Sequence, residues 1–324
     1  MLFDLRPKTS RHELYGREEE LEALHRLSRT EWIAILGRRM TGKTSLLKTF
    51  LAEVNGIYVN LSGVRSIRGL VEELMKKLKH VDLSLSLGPV RARWTRLAED
   101  VFARLEGRII GLDEAQDLPA NYALRLFKKV WDEHRLTIIF TGSMMGLLHR
   151  LLEPGHDSPL YGRKPATIVL RPFTRGVAIG FLERGFDELS CPYREAELEE
   201  AVDSLGGYPG WLTYYGNLRC VRGMTHGEAL ENVYREARKI LVAELERFLE
   251  ARRNKALYVR LLRLLPAGWS ELERALQVNR KVLRDALRSL ERAMIVEKVG
   301  KTYTIPDPLM RRAVQELGEA GPYL

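Results

Sequence analysis

The hydrophobic pattern changes character twice along the chain. Up to residue 171, short apolar runs alternate with helical periodicities. The runs are Trp32-Ile33-Ala34-Ile35-Leu36, Ile57-Tyr58-Val59-Asn60-Leu61, Arg108-Ile109-Ile110-Gly111-Leu112, Leu136-Thr137-Ile138-Ile139-Phe140 and Ala166 to Leu170. Short apolar runs of this kind, set between helical periodicities, predict the strands of an α/β sheet. Between them, Leu21, Leu24 and Leu27 mark one helix, Leu70, Leu74 and Leu78 another over Ser66 to His80, and Val90 to Leu105 a third after a Gly88-Pro89 break. From Arg171-Pro172-Phe173 the strand pattern gives way to helices over Gly176 to Leu189, Glu195 to Leu205, Trp211 to Val221 and Thr225 to Arg253. After Asn254, three helices (Lys255 to Leu265, Trp269 to Leu276, Arg280 to Ala293) precede two short strands around Gly300, which reads as a winged helix. Residues 1–10 carry no periodicity and read as a tail.

The first strand runs straight into Gly37-Arg38-Arg39-Met40-Thr41-Gly42-Lys43-Thr44-Ser45. A glycine-rich turn between a strand and a helix is a phosphate-binding loop: Gly37 and Gly42 let the backbone approach an anion, and the amides from Thr41 to Ser45 point at it with the helix dipole behind them. Lys43 then reaches the outer phosphates of a nucleotide, and the Thr44 hydroxyl serves Mg²⁺. The third strand delivers Asp113 and Glu114 at its carboxyl end, where open α/β sheets place ligands. Asp113 suits the water shell of Mg²⁺ and Glu114 a base that orients and deprotonates the attacking water. The bland alternative for the pair is an acidic helix start. Because a helix, a strand and another helix separate the two motifs, an extra strand is expected between theirs in the sheet.

Weaker signals flank these. Tyr15-Gly16-Arg17 opens a helix and is a candidate adenine-side segment or only a helix start. Ser143, after the fourth strand, is either a helix cap or a hydroxyl for the γ-phosphate or the water. Arg163 is either a surface arginine or a cation for transition-state charge, from its own chain or across a subunit boundary. Tyr208-Pro209, in a Gly-Gly-Tyr-Pro turn that opens a helix, is shaped to lie over a base, although such turns punctuate helices generally.

Composition narrows the class. The 324 residues exceed what one core usually fills, and domains at 1–171, 172–253 and 254–324 follow from the pattern. Apolar content of 45% supports real cores, and there is no run of eighteen apolar residues and no secretory leader, so a cytoplasmic protein with no membrane partner is expected. Cys191 and Cys220 are too few and too far apart in sequence for a metal or disulfide framework and read as buried thiols. Of the net charge of +9, the segment from Asn254 onward carries 13 Lys or Arg against 8 Asp or Glu. Lys281, Arg284, Arg288 and Arg292 form one stripe on a helix, a candidate surface for double-stranded DNA or simply a solvated face.

Taken together, Tyr15-Gly16-Arg17-Glu18, the loop from Gly37 to Leu47, Asp113-Glu114-Ala115-Gln116, Thr141-Gly142-Ser143, Leu160-Tyr161-Gly162-Arg163, Pro172-Phe173 and Leu205 to Leu212 resemble the archaeal ATPase family of the STAND branch of P-loop ATPases, itself close to AAA+ proteins. The resemblance implies an α/β P-loop ATPase core with a five-stranded parallel sheet, an α-helical lid whose Pro209 turn contacts the nucleotide, and a winged-helix domain ending near Asp307-Pro308. It further implies ATP and ADP as ligands, Mg²⁺ as cofactor and slow hydrolysis. Met40 departs from the family's frequent run of three arginines, and the winged helix lacks a Met-His-Asp triplet. Three functions fit: an ATP-driven switch whose lid and winged helix answer to nucleotide and whose state is read by a protein partner or by self-association, an origin-recognition-like DNA-binding ATPase, and a nucleotide-stabilised scaffold with little turnover.

Overall fold

The computed structural model describes residues 1–78, 90–142, 146–152, 158, 160–250 and 252–316. The chain divides into two compact units, Arg6–Arg171 and a second made of Met1–Leu5 with Pro172–Leu324.

The first unit is built on five parallel strands, β1 (Ile33–Leu36), β2 (Ile57–Asn60), β3 (Ile109–Asp113), β4 (Thr137–Gly142) and β5 (Ala166–Val169), in the order β2-β3-β4-β1-β5. The strand inserted between the two motif strands is thus β4. Helices α1 (Glu18–Leu27), α2 (Lys43–Glu53), α3 (Ile67–Met75), α4 (Val90–Ala103), α5 (Ala120–Glu133) and α6 (Gly146–Leu152) accompany the sheet. Alternation within β1 explains the layering. Ile33 and Ile35 share a cluster with Leu21 and Leu24 of α1 and Leu46, Leu47 and Phe50 of α2. On the other side, Trp32 packs against Phe127 and Trp131 of α5 and Phe140 of β4, its indole N–H donating to the Leu136 carbonyl at 2.9 Å. Register aligns Leu36 with both Gly142 and Val169, and Asn60 with Asp113, so these residues share the carboxyl edge of the sheet.

The second unit contains α7 (Arg175–Glu188), α8 (Glu195–Leu205), α9 (Pro209–Gly216), α10 (His226–Glu250), α11 (Lys255–Arg263), β6 (Ala267–Gly268), α12 (Trp269–Leu276), α13 (Arg280–Arg292), β7 (Glu297–Val299), β8 (Thr302–Thr304) and α14 (Pro308–Glu316). The helix expected over Trp211 to Val221 is shorter, because α9 widens into a five-residue π turn at Asn217–Val221. Strands β6, β8 and β7 form a small antiparallel sheet beside α11, α12 and α13, the helix-and-hairpin order expected above. Asp307 caps α14, its carboxylate accepting the amides of Leu309 and Met310 at 2.9 and 3.2 Å, with Pro308 at the first helical position where no amide is needed. Helix α14 packs on α8 and α10, which ties the last helix of the chain to the helical block.

The expected N-terminal tail is a correction. Phe3 is fully buried, with edge-on contacts to Phe181 and Phe186. Its ring occupies the space that a Cβ would need at Gly185 of α7 and at Gly216 of α9. Asn217 donates to the Phe3 carbonyl at 3.0 Å, and the Leu2 amide donates to Glu188 at 2.7 Å. A short apolar run, Met1-Leu2-Phe3, shows no helical or strand period by which a hydropathy rule could place it, because its partners lie some 180 residues or more along the chain.

Cys191 and Cys220 are likewise not deeply buried. Both are half-buried.

Candidate functional site

The loop between β1 and α2 closes over its own lysine. Lys43 is buried, and its ammonium donates to the carbonyls of Gly37 at 2.8 Å and Arg38 at 2.9 Å. The Thr41 hydroxyl donates to the same Arg38 carbonyl at 2.7 Å. A Cβ at Gly37 would lie 2.7 Å from the Thr41 hydroxyl and 2.8 Å from the Leu170 carbonyl, so only glycine lets the loop turn so tightly after the strand. Gly42, at φ 93°, is the last residue before the helix and leaves Thr44 and Ser45 half-buried at its start. Ser45 also accepts the Lys8 amide at 3.2 Å, another part of the expected tail that is bound down.

Arg17 braces this loop from outside. It is buried, and its guanidinium donates to the carbonyl of Thr41 at 3.2 Å, to that of Arg171 at 2.6 Å and to the Glu20 carboxylate at 2.9 Å. Burial pulls its pKa below the usual arginine value, an effect that Glu20 opposes. Tyr15, two residues earlier, is half-buried.

Asp113 is the hub of the carboxyl edge. It is 2% exposed and accepts three hydroxyls: Thr44 at 2.9 Å, Tyr58 at 2.7 Å, and Thr141. Burial, then the bond to Asp113, pushes the Tyr58 pKa up, so its phenol stays a donor. Thr141 also accepts the Glu114 amide at 3.3 Å, joining β3 to β4 at the site. Glu114 adopts φ 58°, a left-handed conformation that a non-glycine residue holds only at some cost in strain and that concentrates at functional sites. The turn sends the two carboxylates apart, Asp113 to Thr44 and Glu114 to Gln116, whose amide donates to it at 2.5 Å.

This donor set fits Mg²⁺. The ion takes one or two carboxylates plus phosphate oxygens and water, and it has no need of an all-protein cage. Asp113 and Thr44 supply hard oxygens beside the loop, and among the described residues no cluster of three or more His, Cys, Asp or Glu could hold a metal by itself.

One expected site residue is not brought here. Arg163 precedes β5 by three residues and pairs with Asp132, near the end of α5, at 3.0 Å. In a parallel sheet both positions belong to the amino edge, and four strand residues span about 13 Å. Its role in its own chain's phosphate site is therefore corrected; only the role across a subunit boundary stays open. Ser143 and the Gly88-Pro89 break lie outside the described residues. Among the described residues, the hydroxyl that joins Asp113 to Glu114 is that of Thr141 on β4. It is the neighbour of β3 in register, and no sequence rule gives that register.

In the second unit, Tyr208 is buried and Pro209 opens α9. The Phe173 amide donates to the Gly207 carbonyl at 2.8 Å, so the Gly-Gly-Tyr-Pro turn is fastened to the start of the unit. Lys281, Arg284, Arg288 and Arg292 are all exposed on α13, opposite the buried Leu283, Ala286, Leu287 and Leu290. Among the described residues no acidic side chain pairs with Lys281, Arg284 or Arg288, whereas the neighbouring Arg280 is bound to Glu273 at 2.5 Å.

Comparison with known proteins gives the same picture at two depths. The family model of an ATPase domain found predominantly in Archaea matches residues 14–215. A Walker-type ATPase of Pyrococcus abyssi is 31% identical, with a TM-score of 0.79 over 97% of this chain and 100% of that one. The Aeropyrum pernix ORC2 protein, solved in ADPNP–ADP complexes, shares the fold at a TM-score of 0.66, 13% identity and 98% of both chains. Cdc6p from Pyrobaculum aerophilum does so at 0.56 and 18%, over 98% of this chain and 97% of that one. No curated protein gives a significant match. Among the described residues no helix is long and apolar enough to cross a membrane.

Proposed function

This chain belongs to the family of ATPase domains found predominantly in Archaea, and from that membership we propose that it is a nucleotide switch that binds ATP with Mg²⁺ and hydrolyses it slowly. The observation that carries the reading is the Thr44–Asp113–Thr141–Glu114 chain of contacts beside the phosphate loop. Two strands and one helix converge to build it, and burial of Asp113 among hydroxyls has no evident purpose in a purely structural carboxylate. Lys43 supplies the cation for the outer phosphates, exchanging its loop carbonyls for them. The Thr44 and Asp113 oxygens hold the metal, which when bound neutralises phosphate charge. Glu114 takes a proton from the attacking water and orients it toward the terminal phosphate. Ser45 and the loop amides complete the cradle. Tyr15, Tyr208 and Pro209 serve the base side, and the helical block and α13 segment answer to the nucleotide.

Two substitutions test this. Lys43→Ala is expected to abolish ATP binding in a titration, and unchanged affinity would overturn the site. Glu114→Gln is expected to bind ATP as the parent does and to lose turnover; persistent hydrolysis would move the base elsewhere.

A second reading, DNA binding in the manner of an origin-recognition ATPase, is favoured by one observation, the exposed basic stripe on α13. Each neutralised phosphate contributes about −0.9 to the slope of log affinity against log salt. Arg284→Ala with Arg288→Ala should therefore flatten the slope for duplex DNA by about two phosphates. Identical salt titrations for parent and double variant would leave a protein partner as the better reader of the switch.

A further inference from the structure

We propose that Gln116 is the positioning residue for the catalytic base: it holds the Glu114 carboxylate and seats that hold on the last residue of β4. The inference rests on the reading of Glu114 as base given above.

Three observations carry it. The Gln116 amide nitrogen donates to a Glu114 oxygen at 2.5 Å, the one side-chain hydrogen bond that the structure gives the Glu114 carboxylate among the described residues. The other end of the same amide lies directly over Gly142. A Cβ at Gly142 would collide with the Gln116 carbonyl oxygen and stand 3.0 Å from its Cδ. That carbonyl oxygen is buried, and among the described residues no group donates to it. A buried amide oxygen without a donor costs about 1–3 kcal/mol, so a glutamine chosen only for packing would be replaced without loss by an apolar side chain of the same length.

Position explains what the hold accomplishes. Gly142 pairs in register with Leu36, the residue before the phosphate loop. The amide of Gln116 therefore spans from the acidic turn after β3 to the end of β4, beside the strand that leads into the loop. Glu114 itself sits in a left-handed turn of the kind that concentrates at functional sites. With Asp113 committed to Thr44, Tyr58 and Thr141, the glutamine is the side chain that holds the Glu114 carboxylate where the turn directs it. A general base must hold its oxygen within hydrogen-bond reach of the water, and an error of about 1 Å costs on the order of 100-fold in rate.

The test is single-turnover hydrolysis of labelled ATP at saturation, with ATP affinity and thermal midpoint measured alongside. Gln116→Met keeps the bulk over Gly142 and removes the amide; Gln116→Ala removes both. Each is expected to lower the rate by about tenfold or more with affinity within twofold. In a Glu114→Gln background neither should lower the residual rate further, because the two residues act as one unit. The inference is overturned if Gln116→Met turns over like the parent while Glu114→Gln is inactive, a result that leaves the base assignment standing. It is also overturned if the loss is the same size in both backgrounds, or if affinity falls in step with rate, since a merely structural residue would behave so. If Glu114→Gln itself keeps full turnover, the base assignment fails and this inference with it.

Discussion

Arg17 shows how one side chain converts a helix start into part of a phosphate site. Its guanidinium joins the loop at Thr41, the chain leaving β5 at Arg171, and Glu20 on its own helix. Replacing it by alanine strands two carbonyls, and we expect a loss of about 2–4 kcal/mol in urea denaturation together with weaker ATP binding. Arg17→Lys should recover less than half, because an ammonium is a point charge without the planar fork; full recovery by lysine would reduce Arg17 to a charge. A second consequence at this scale concerns alkali. Burial raises the pKa of Tyr58, of Cys220 and of Tyr215, the last to about 12. In each case the folded state keeps a proton that the unfolded chain gives up at about 8.5 for Cys and about 10 for Tyr. Stability from these groups is therefore complete below about pH 8.5 and declines as pH climbs toward the folded values. Urea midpoints should fall progressively above about pH 9; a midpoint still flat at pH 11 would contradict their burial.

At the scale of elements, the N-terminal segment is a strut of the helical unit. The ring of Phe3 fills a slot that exists only because α7 and α9 present glycines. Phe3→Ala should cost about 3–5 kcal/mol by the usual penalty for an emptied aromatic site, read as a lower thermal midpoint, and removal of residues 1–5 should do at least as much. An unchanged midpoint in both variants would mean that the slot closes without it. The same scale accounts for α13, where the most amphipathic of the helices separates a buried leucine face from four exposed cations. Its pattern was plain in the sequence because every fourth residue repeats the same chemistry.

For the whole molecule, the placement of Arg163 decides between ways of working. Its pairing with Asp132 at the amino edge of the sheet keeps it from its own phosphate loop. Arg163→Ala is then expected to leave hydrolysis unchanged in dilute solution, where chains are separate. A defect that grows with protein concentration would assign the arginine to a neighbouring subunit's site, and a defect present at every dilution would contradict the topology. What the sequence determined without help is local: the loop from Gly37 to Ser45, the strand carrying Asp113 and Glu114, the heptad-like faces of the helices and the helix-and-hairpin ending. All of these depend on residues within a few positions of one another, so spacing alone specifies them. Tertiary structure decided the partners of those residues. Arg17 meets Thr41 and Arg171, Tyr58 and Thr141 meet Asp113, Phe3 meets α7 and α9, and Arg163 falls on the far edge, because strand order, register and the return of the chain bring together positions 24 to 214 residues apart. Hydropathy carries a period but no register, and so it cannot say which hydroxyl or carbonyl a given side chain will find.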